Sequence, residues 1–410
     1  MRFALAKRPS QRRAAISRKQ LYFLRALSVV VSLALAMVLA EAGLRIASYK
    51  HGRASLRNFT EYDPLLGWRN RPNAYTRVVE QDYSTVMQYG PKGLRGEDHP
   101  YAKPAGDFRI LVLGDSMVDG FSVPLEDRVS EVLQNELGPR ADVVNLGVSG
   151  YSTDQELLML ESEGWKYRPD LVVLFFYYND IWMNGQRLLA RATYKPVFQL
   201  DAAGNLVLTG VPVPKPEPSL DERFKLYALI RDAIKSSPKL YRFATLGHGV
   251  APVTLPMPAG AGGSADQFRV YQKADTPELR KVWDITQALL RRMNQETQER
   301  GSRFLVFYVP TPVELSPQEW SASNIPPSYG PDVVVQHVMQ ICAAGKIALL
   351  EPSARFREAR KNGPLSYAHD IHWTPAGHRL AADLVAEYVR STMGDRIQPQ
   401  TRAQNSPAGR

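Results

Sequence analysis

The run Ile110-Leu111-Val112-Leu113, followed at once by Gly114-Asp115-Ser116, constrains this chain more than any other stretch. Consecutive apolar residues with β-branched members predict a strand buried on both faces, and Gly-Asp-Ser ends it in a tight turn. A polar side chain leaving the carboxyl end of such a strand stands at the mouth of a parallel sheet, where open α/β folds keep their chemistry. Taken alone the tripeptide is ordinary turn chemistry, so the rest of the chain has to decide.

From Phe108 on, strand and helix patterns alternate. Val129, Val132, Leu133 and Leu137 fall at helical spacing. Val143 to Val148 predicts a second strand ending at Ser149-Gly150-Tyr151. Ser152 to Gln155 then opens a helix with a hydroxyl cap and a Gln at capping-box distance. Leu171 to Tyr178 is a third strand, ending at Asn179-Asp180. Three strand-helix units in a row imply parallel strands joined by crossover helices, with three polar strand ends on one rim.

The alternation breaks after Asn179-Asp180. A hairpin (Val197 to Leu200, Leu206 to Leu208), a proline-rich stretch from Pro212 to Pro218, a helical stretch from Leu220 to Leu246 and a glycine- and proline-rich loop from Gly247 to Ser264 follow. Residues 181–275 therefore read as an insertion that could shape the substrate cleft. The pattern resumes with a helix from Pro277 to Arg300, a strand from Phe304 to Val309, a helix near Val333 to Ala344 and a strand from Ile347 to Leu350. A final helix runs from Thr374 to about Ser391, and residues 394–410 are polar, aperiodic and expected to be disordered.

The net charge of +10 does not point to nucleic acid. Arg2, Lys7, Arg8, Arg12, Arg13, Arg18 and Lys19 all precede Leu21, with no acidic residue among them, so the excess belongs to a basic tail, residues 1–20. Residues 21–46 carry only Arg25, Glu41 and Arg45 as charges around an apolar centre, close to the ~20 residues a bilayer needs. Positive charge on the amino side predicts a cytoplasmic tail and export of everything after Ile46. A cleaved signal peptide is the rival reading, because Ala40-Glu41-Ala42 offers an Ala-x-Ala pattern; the length of the basic region favours a retained anchor. Residues 50–106 read as an extended arm with short strands, since Trp68, Tyr75, Tyr83, Met87 and Leu94 are too apolar for a spacer. Cys342 is the only cysteine, so no intrachain disulfide can form.

Just before the last helix stands His369-Asp370-Ile371-His372-Trp373-Thr374-Pro375, a short loop that can hold an imidazole in one pose. Acyl transfer needs a nucleophile, a base, an orienting carboxylate and donors for the oxyanion. Ser116, His372 and Asp370 fit the first three roles. The backbone N–H groups of Ser116 and Gly147 and the side-chain amide of Asn179 fit the last, with glycine at 147 expected because substrate must approach that backbone closely. His369 is the runner-up base. His378 reads as a helix-face residue, and His51, His99, His248 and His337 as surface or loop residues. Asp115 and Asp180 are expected to brace their turns. The His spacing does not match a metal-binding HExxH helix, and the first strand-helix turn lacks the GxGxxG of a dinucleotide site, so no metal and no cofactor are expected.

Gly114-Asp115-Ser116, Asn145-Leu146-Gly147, Asn179-Asp180 and Asp370-Ile371-His372 resemble, in order and spacing, the Ser, Gly, Asn and His blocks of the SGNH superfamily, also called GDSL-type hydrolases. The resemblance covers residues 107–392 apart from the insertion. Within the superfamily the chain is similar to the bacterial membrane-anchored branch, where an arm like Tyr62 to Asn73 and a turn like Gly93-Leu94-Arg95 also occur. It implies a flavodoxin-like three-layer α/β/α fold with a mostly parallel sheet, here preceded by one transmembrane helix, and esterase, lipase, deacetylase or O-acyltransferase chemistry without metal. Two positions depart from the pattern. Met117 stands where Leu is common. The last block reads Asp-x-His where Asp-x-x-His is commoner, a form also seen in proteins that acetylate exopolysaccharides such as alginate. The resulting expectation is an extracytoplasmic serine esterase acting on acylated glycans. Its alternatives are a polysaccharide O-acetyltransferase and a non-catalytic glycan-binding protein that keeps the fold.

Overall fold

The computed structural model describes residues 17–46, 59–189, 193–217, 220–236, 267–322 and 325–397. Most of the basic tail, the loop from Gly247 to Ser264, the end of the chain beyond 397, His51 and His248 lie outside the described residues. The chain divides into two units. One holds the N-terminal helix together with residues from Pro218 to His248, and the other holds the sheet and the rest.

The second unit is built on five strands: β1 (Phe108–Gly114), β2 (Ala141–Asn145), β3 (Leu171–Phe176), β4 (Arg303–Tyr308) and β5 (Ala348–Leu350). Every pairing is parallel and the spatial order is β2-β1-β3-β4-β5. That is the flavodoxin-like order, with its switch point between β1 and β3. All residues of β1 and β3 are buried, as expected of strands with helices on both faces. Val129–Leu137 packs on Pro375–Ile397, and Thr153–Ser162 packs on Pro277–Glu299. Arg109, fully buried on β1, is satisfied at the amino edge of the sheet by Asp142 (2.6 Å) and by the carbonyls of Tyr101 (2.9 Å) and Tyr167 (2.8 Å).

Several elements differ from the sequence reading. β2 stops at Asn145, because the Asn145 side chain turns back to accept from the Gly147 N–H. β3 stops at Phe176 and the chain enters a helix at Tyr178–Met183, where the Asp180 carboxylate accepts from the Tyr177 N–H (3.2 Å). Ile181, where the sequence reading starts its insertion, is a buried residue of this helix. The capping box at Ser152 does not form: Ser152 Oγ donates to Asp154 (2.8 Å), and Gln155 Nε2 donates to the Leu66 carbonyl (2.7 Å). Tertiary partners outcompete the local cap. The last helix continues to Ile397, with Met393 out of helical geometry.

The arm forms two antiparallel hairpins, Thr60–Asp63 with Gly67–Asn70 and Tyr75–Val79 with Ser84–Gln88. Trp68 Nε1 donates to the Ser149 carbonyl (3.1 Å), Asn70 Nδ2 to the Gly147 carbonyl (3.2 Å), and Tyr151 hydroxyl back to the Trp68 carbonyl (2.5 Å). The first hairpin thus grips the loop after β2, on the carboxyl rim of the sheet.

Candidate active site

Ser116 begins a four-residue helix, Ser116–Asp119, directly after β1. Asp115 caps that helix, its Oδ1 accepting from the Met117 N–H at 2.8 Å. The reversal requires Gly114: at φ +156, a Cβ there would meet Val118 Cγ2 at 2.5 Å and Phe175 Cβ at 3.3 Å. At the other end, the buried Arg95 guanidinium donates to the carbonyls of Gly120 (2.5 Å) and Val123 (2.8 Å). Asp119 accepts from Ser149 (2.5 Å) and Tyr89 (3.2 Å). The turn carrying Ser116 is thus held from below by the sheet and from the side by the arm.

The loop before the last helix brings His372 to this turn from 256 residues away, with Nε2 2.8 Å from Ser116 Oγ. On its other side the imidazole Nδ1 makes a short hydrogen bond to Asp370 Oδ1, and the His372 backbone N–H reaches the same oxygen at 3.0 Å. With Nδ1 carrying the proton toward Asp370, Nε2 is left as the acceptor for the serine hydroxyl. The two-bond grip also accounts for the short Asp-x-His spacing: the carboxylate folds back over its own turn to meet both groups. Burial alone would raise the Asp370 pKa, but hydrogen bonds from the His372 ring and Tyr83 outweigh it and hold the carboxyl at about 2. The imidazole edge also packs on the Phe121 ring, centroids 4.5 Å apart.

Two residues of this cluster escaped the sequence reading. Tyr83, from the arm, donates its hydroxyl to Asp370 Oδ2 at 2.6 Å. Asp82 accepts from the backbone N–H (2.7 Å) of His369 and pairs with its ring Nδ1 (2.9 Å). His369 is therefore turned to Asp82, not to Ser116, and the structure does not assemble it as an alternative base. Tyr83 was visible only as one of several aromatic residues in the arm; nothing in its neighbours signals a catalytic contact.

Of the three expected oxyanion donors, the Ser116 N–H has no acceptor among the described residues. Asn179 sits in the first turn after β3, with Nδ2 3.4 Å from Asp115 Oδ2. Gly147 departs from expectation. Its N–H already donates to Asn145 Oδ1 at 2.8 Å. Its lack of a side chain serves packing: a Cβ would meet the Asp119 N at 2.8 Å and Asn145 Oδ1 at 2.9 Å. Glycine at 147 is thus required by the close approach of the serine-bearing turn, and Asn145, which also donates to the Val118 carbonyl (2.9 Å), ties the two together.

Asp115 is fully buried and burial raises its pKa. His378 lies on the buried face of the last helix, accepts from the Val129 N–H (3.3 Å), and is kept neutral by burial, which drops its pKa to about 3. His99 pairs with Asp142 and His337 stacks on Trp283, both away from Ser116. A cavity of about 160 Å³ opens beside Asp370, lined by Glu80, Gln81, Asp82, His369 and Asp370. A larger one, about 240 Å³, lies along the hairpin Val197–Leu200 with Leu206–Thr209, and neither Ser116, His372 nor Asp370 lines it. Among the described residues no group of histidine, cysteine and carboxylate side chains could hold a metal ion.

This is the fold and rim of an α/β hydrolytic enzyme with an aligned serine, imidazole and carboxylate. A model described as the GDSL-like lipase/acylhydrolase family matches residues 112–380, and the chain belongs to that family, within the SGNH superfamily, as a serine ester hydrolase. No curated protein matches the sequence. Solved structures it is similar to include an acetyl xylan esterase, AlAXEase (12% identity, 69% of this chain and 100% of that one, TM-score 0.37). They also include the lipase/acylhydrolase from Enterococcus faecalis (12%, 69% and 96%, 0.36). A third is a catalytic mutant of an acetylxylan esterase from Geobacillus stearothermophilus (16%, 72% and 96%, 0.35).

Proposed function

We propose that the chain is a membrane-anchored, extracytoplasmic esterase that removes or transfers small acyl groups, acetyl foremost, on glycans. The observation that carries this is the continuous hydrogen-bonded line from Ser116 Oγ through His372 to Asp370. Ser116 Oγ attacks the ester carbonyl while His372 Nε2 takes its proton, and Asp370 stabilises the imidazolium that forms. The Ser116 N–H and Asn179 amide receive the oxyanion, and Gly147 joins them only if its N–H turns from Asn145. Collapse breaks the ester C–O bond, His372 returns the proton to the departing sugar hydroxyl, and the acyl group stays on Ser116. Water then regenerates the enzyme in hydrolysis, or a second sugar hydroxyl does so in transfer.

The cavity beside Asp370 supports a polar substrate: Glu80, Gln81, Asp82 and His369 line it and offer hydrogen bonds to sugar hydroxyls. Retention of the anchor is supported by Glu41: its carboxylate caps a second helix at Lys225 and Leu226, contacts that cleavage at Ala40-Glu41-Ala42 would disturb.

The test is hydrolysis of p-nitrophenyl acetate by the full chain in detergent, compared with Ser116→Ala and His372→Ala, with an O-acetylated glycan and an acceptor sugar in parallel. Each substitution is expected to lower kcat about 10⁴-fold or more. Acetyl appearing on the acceptor would make the enzyme a transferase. A wild type inert on every ester would leave the glycan-binding reading standing.

A further inference from the structure

The unit that holds the N-terminal helix carries an apolar stripe with no role in ester chemistry. Phe224, Tyr227 and Ile230 recur three residues apart along Lys225–Ser236 and its lead-in, each about half exposed, and Leu220 extends the row. Leu226 and Leu229 are half-buried, and the helix packs on Arg18–Ile46. One side of a short amphipathic helix therefore has a partner and the other presents aromatic and branched side chains to solvent.

Where it docks matters. Arg18–Ile46 has 29 residues, long and apolar enough to cross a membrane, and starts with a reciprocal Ser17–Gln20 cap. Glu41 lies near its exit, and its two oxygens accept from the N–H groups of Lys225 (3.0 Å) and Leu226 (2.7 Å), orphan donors of the second helix. Arg45 pairs with Glu41 (2.7 Å) and donates to the Arg223 carbonyl (2.5 Å). The acid and base that end the apolar span are the groups that seat the amphipathic helix, so a membrane crossed by Arg18–Ile46 would have this helix at the level where hydrocarbon gives way to headgroups.

We propose that Lys225–Ser236 lies in the extracytoplasmic membrane interface as a second, monotopic anchor. Phe224, Tyr227 and Ile230 enter the boundary between headgroups and acyl chains, while Lys225 meets anionic headgroups. The occupant is a lipid surface, because the stripe is continuous with a helix whose own apolar surface requires lipid. This rests on the reading of Arg18–Ile46 as a retained anchor.

The full chain, with Cys342→Ala to remove its own thiol, is reconstituted in phosphatidylcholine–phosphatidylglycerol vesicles. Single cysteines replace Val30, Val207, Tyr227 or Ile230 and carry an environment-sensitive fluorophore. Labels at 227 and 230 are expected to be quenched by a nitroxide at a shallow acyl position, and to be several-fold less sensitive to aqueous iodide than the label at 207. Lipid quenching at 30 with full iodide sensitivity at 227 and 230 would overturn the proposal and leave the anchor standing. No lipid quenching at 30 would remove the anchor and the proposal together. Protection at 227 and 230 from both quenchers would assign the stripe to a protein partner and equally overturn it.

Discussion

Tyr83 decides how much of the site is its own motif and how much is borrowed. The aligned serine and histidine were legible because strand-end residues and a pre-helix loop leave local signatures; Asp370 was legible with them. Tyr83 was not, because its hydroxyl meets Asp370 across 287 residues of sequence while its ring packs with Tyr367 and Phe121. Such a residue reads as core. Gly147 carries a second requirement that its own block does not signal: read as making room for substrate, it also makes room for Asp119 and Asn145. Tyr83→Phe keeps the ring and removes one hydrogen bond to a carboxylate, a contact worth about 1.5–3 kcal/mol. Without it Asp370 holds the imidazolium more tightly and is less well aimed. Steady-state kinetics should show kcat down about 10-fold with KM little changed, and the acidic limb of the kcat/KM profile moved to higher pH. A superimposable profile with unchanged kcat would reduce Tyr83 to packing. Asp370 keeps its charge down to about pH 2, so the carboxylate is ionised across the whole profile.

At the scale of elements, the sheet was readable because both-face burial leaves continuous apolar runs, and strand order follows from alternation. Within residues 181–275 the hairpin Val197–Leu200 with Leu206–Thr209 was readable too, but where the segments dock was not, because that is fixed by partners elsewhere in the chain. Val213 donates its N–H to the Pro64 carbonyl (2.7 Å), and Lys195, fully buried, pairs with fully buried Asp154 and donates to the Met183 carbonyl (3.1 Å). Burial pulls the Lys195 pKa down and pushes the Asp154 pKa up, while the pair's attraction opposes both. Breaking such a pair leaves an uncompensated buried charge, at a cost of about 3–5 kcal/mol. Lys195→Met should therefore lower the urea midpoint sharply, and the double variant Lys195→Met/Asp154→Leu should recover most of the loss. A single variant as stable as the wild type would show that the insertion is not keyed into the sheet through this lysine.

For the whole molecule, stability against pH is shaped by groups whose pKa values move in opposite directions on folding. Asp370 has a folded pKa below its unfolded value, so its contribution is present above about pH 4 and is lost as pH falls toward 2. Glu314 works the other way. It is buried beneath the end of β4, where Tyr271 (2.9 Å), Tyr308 and the Thr311 N–H (2.6 Å) donate to it, and burial pushes its pKa to about 7 from 4.5. The native state therefore binds a proton that the unfolded chain has released between about pH 4.5 and 7. The contribution of this group to stability falls as pH rises through that window, by up to about 3 kcal/mol, and stays reduced above it. His378, kept neutral by burial, works against Glu314 over the same range, so the comparison is with the variant: going from pH 5 to pH 8 should cost the wild type more degrees of Tm than it costs Glu314→Gln. Glu314→Gln, which has no proton to lose, should remove this group's share of the dependence while costing some stability at pH 5. If the variant and the wild type lose the same number of degrees between the two pH values, Glu314 is charged in the fold, and its three donors rather than its burial govern it.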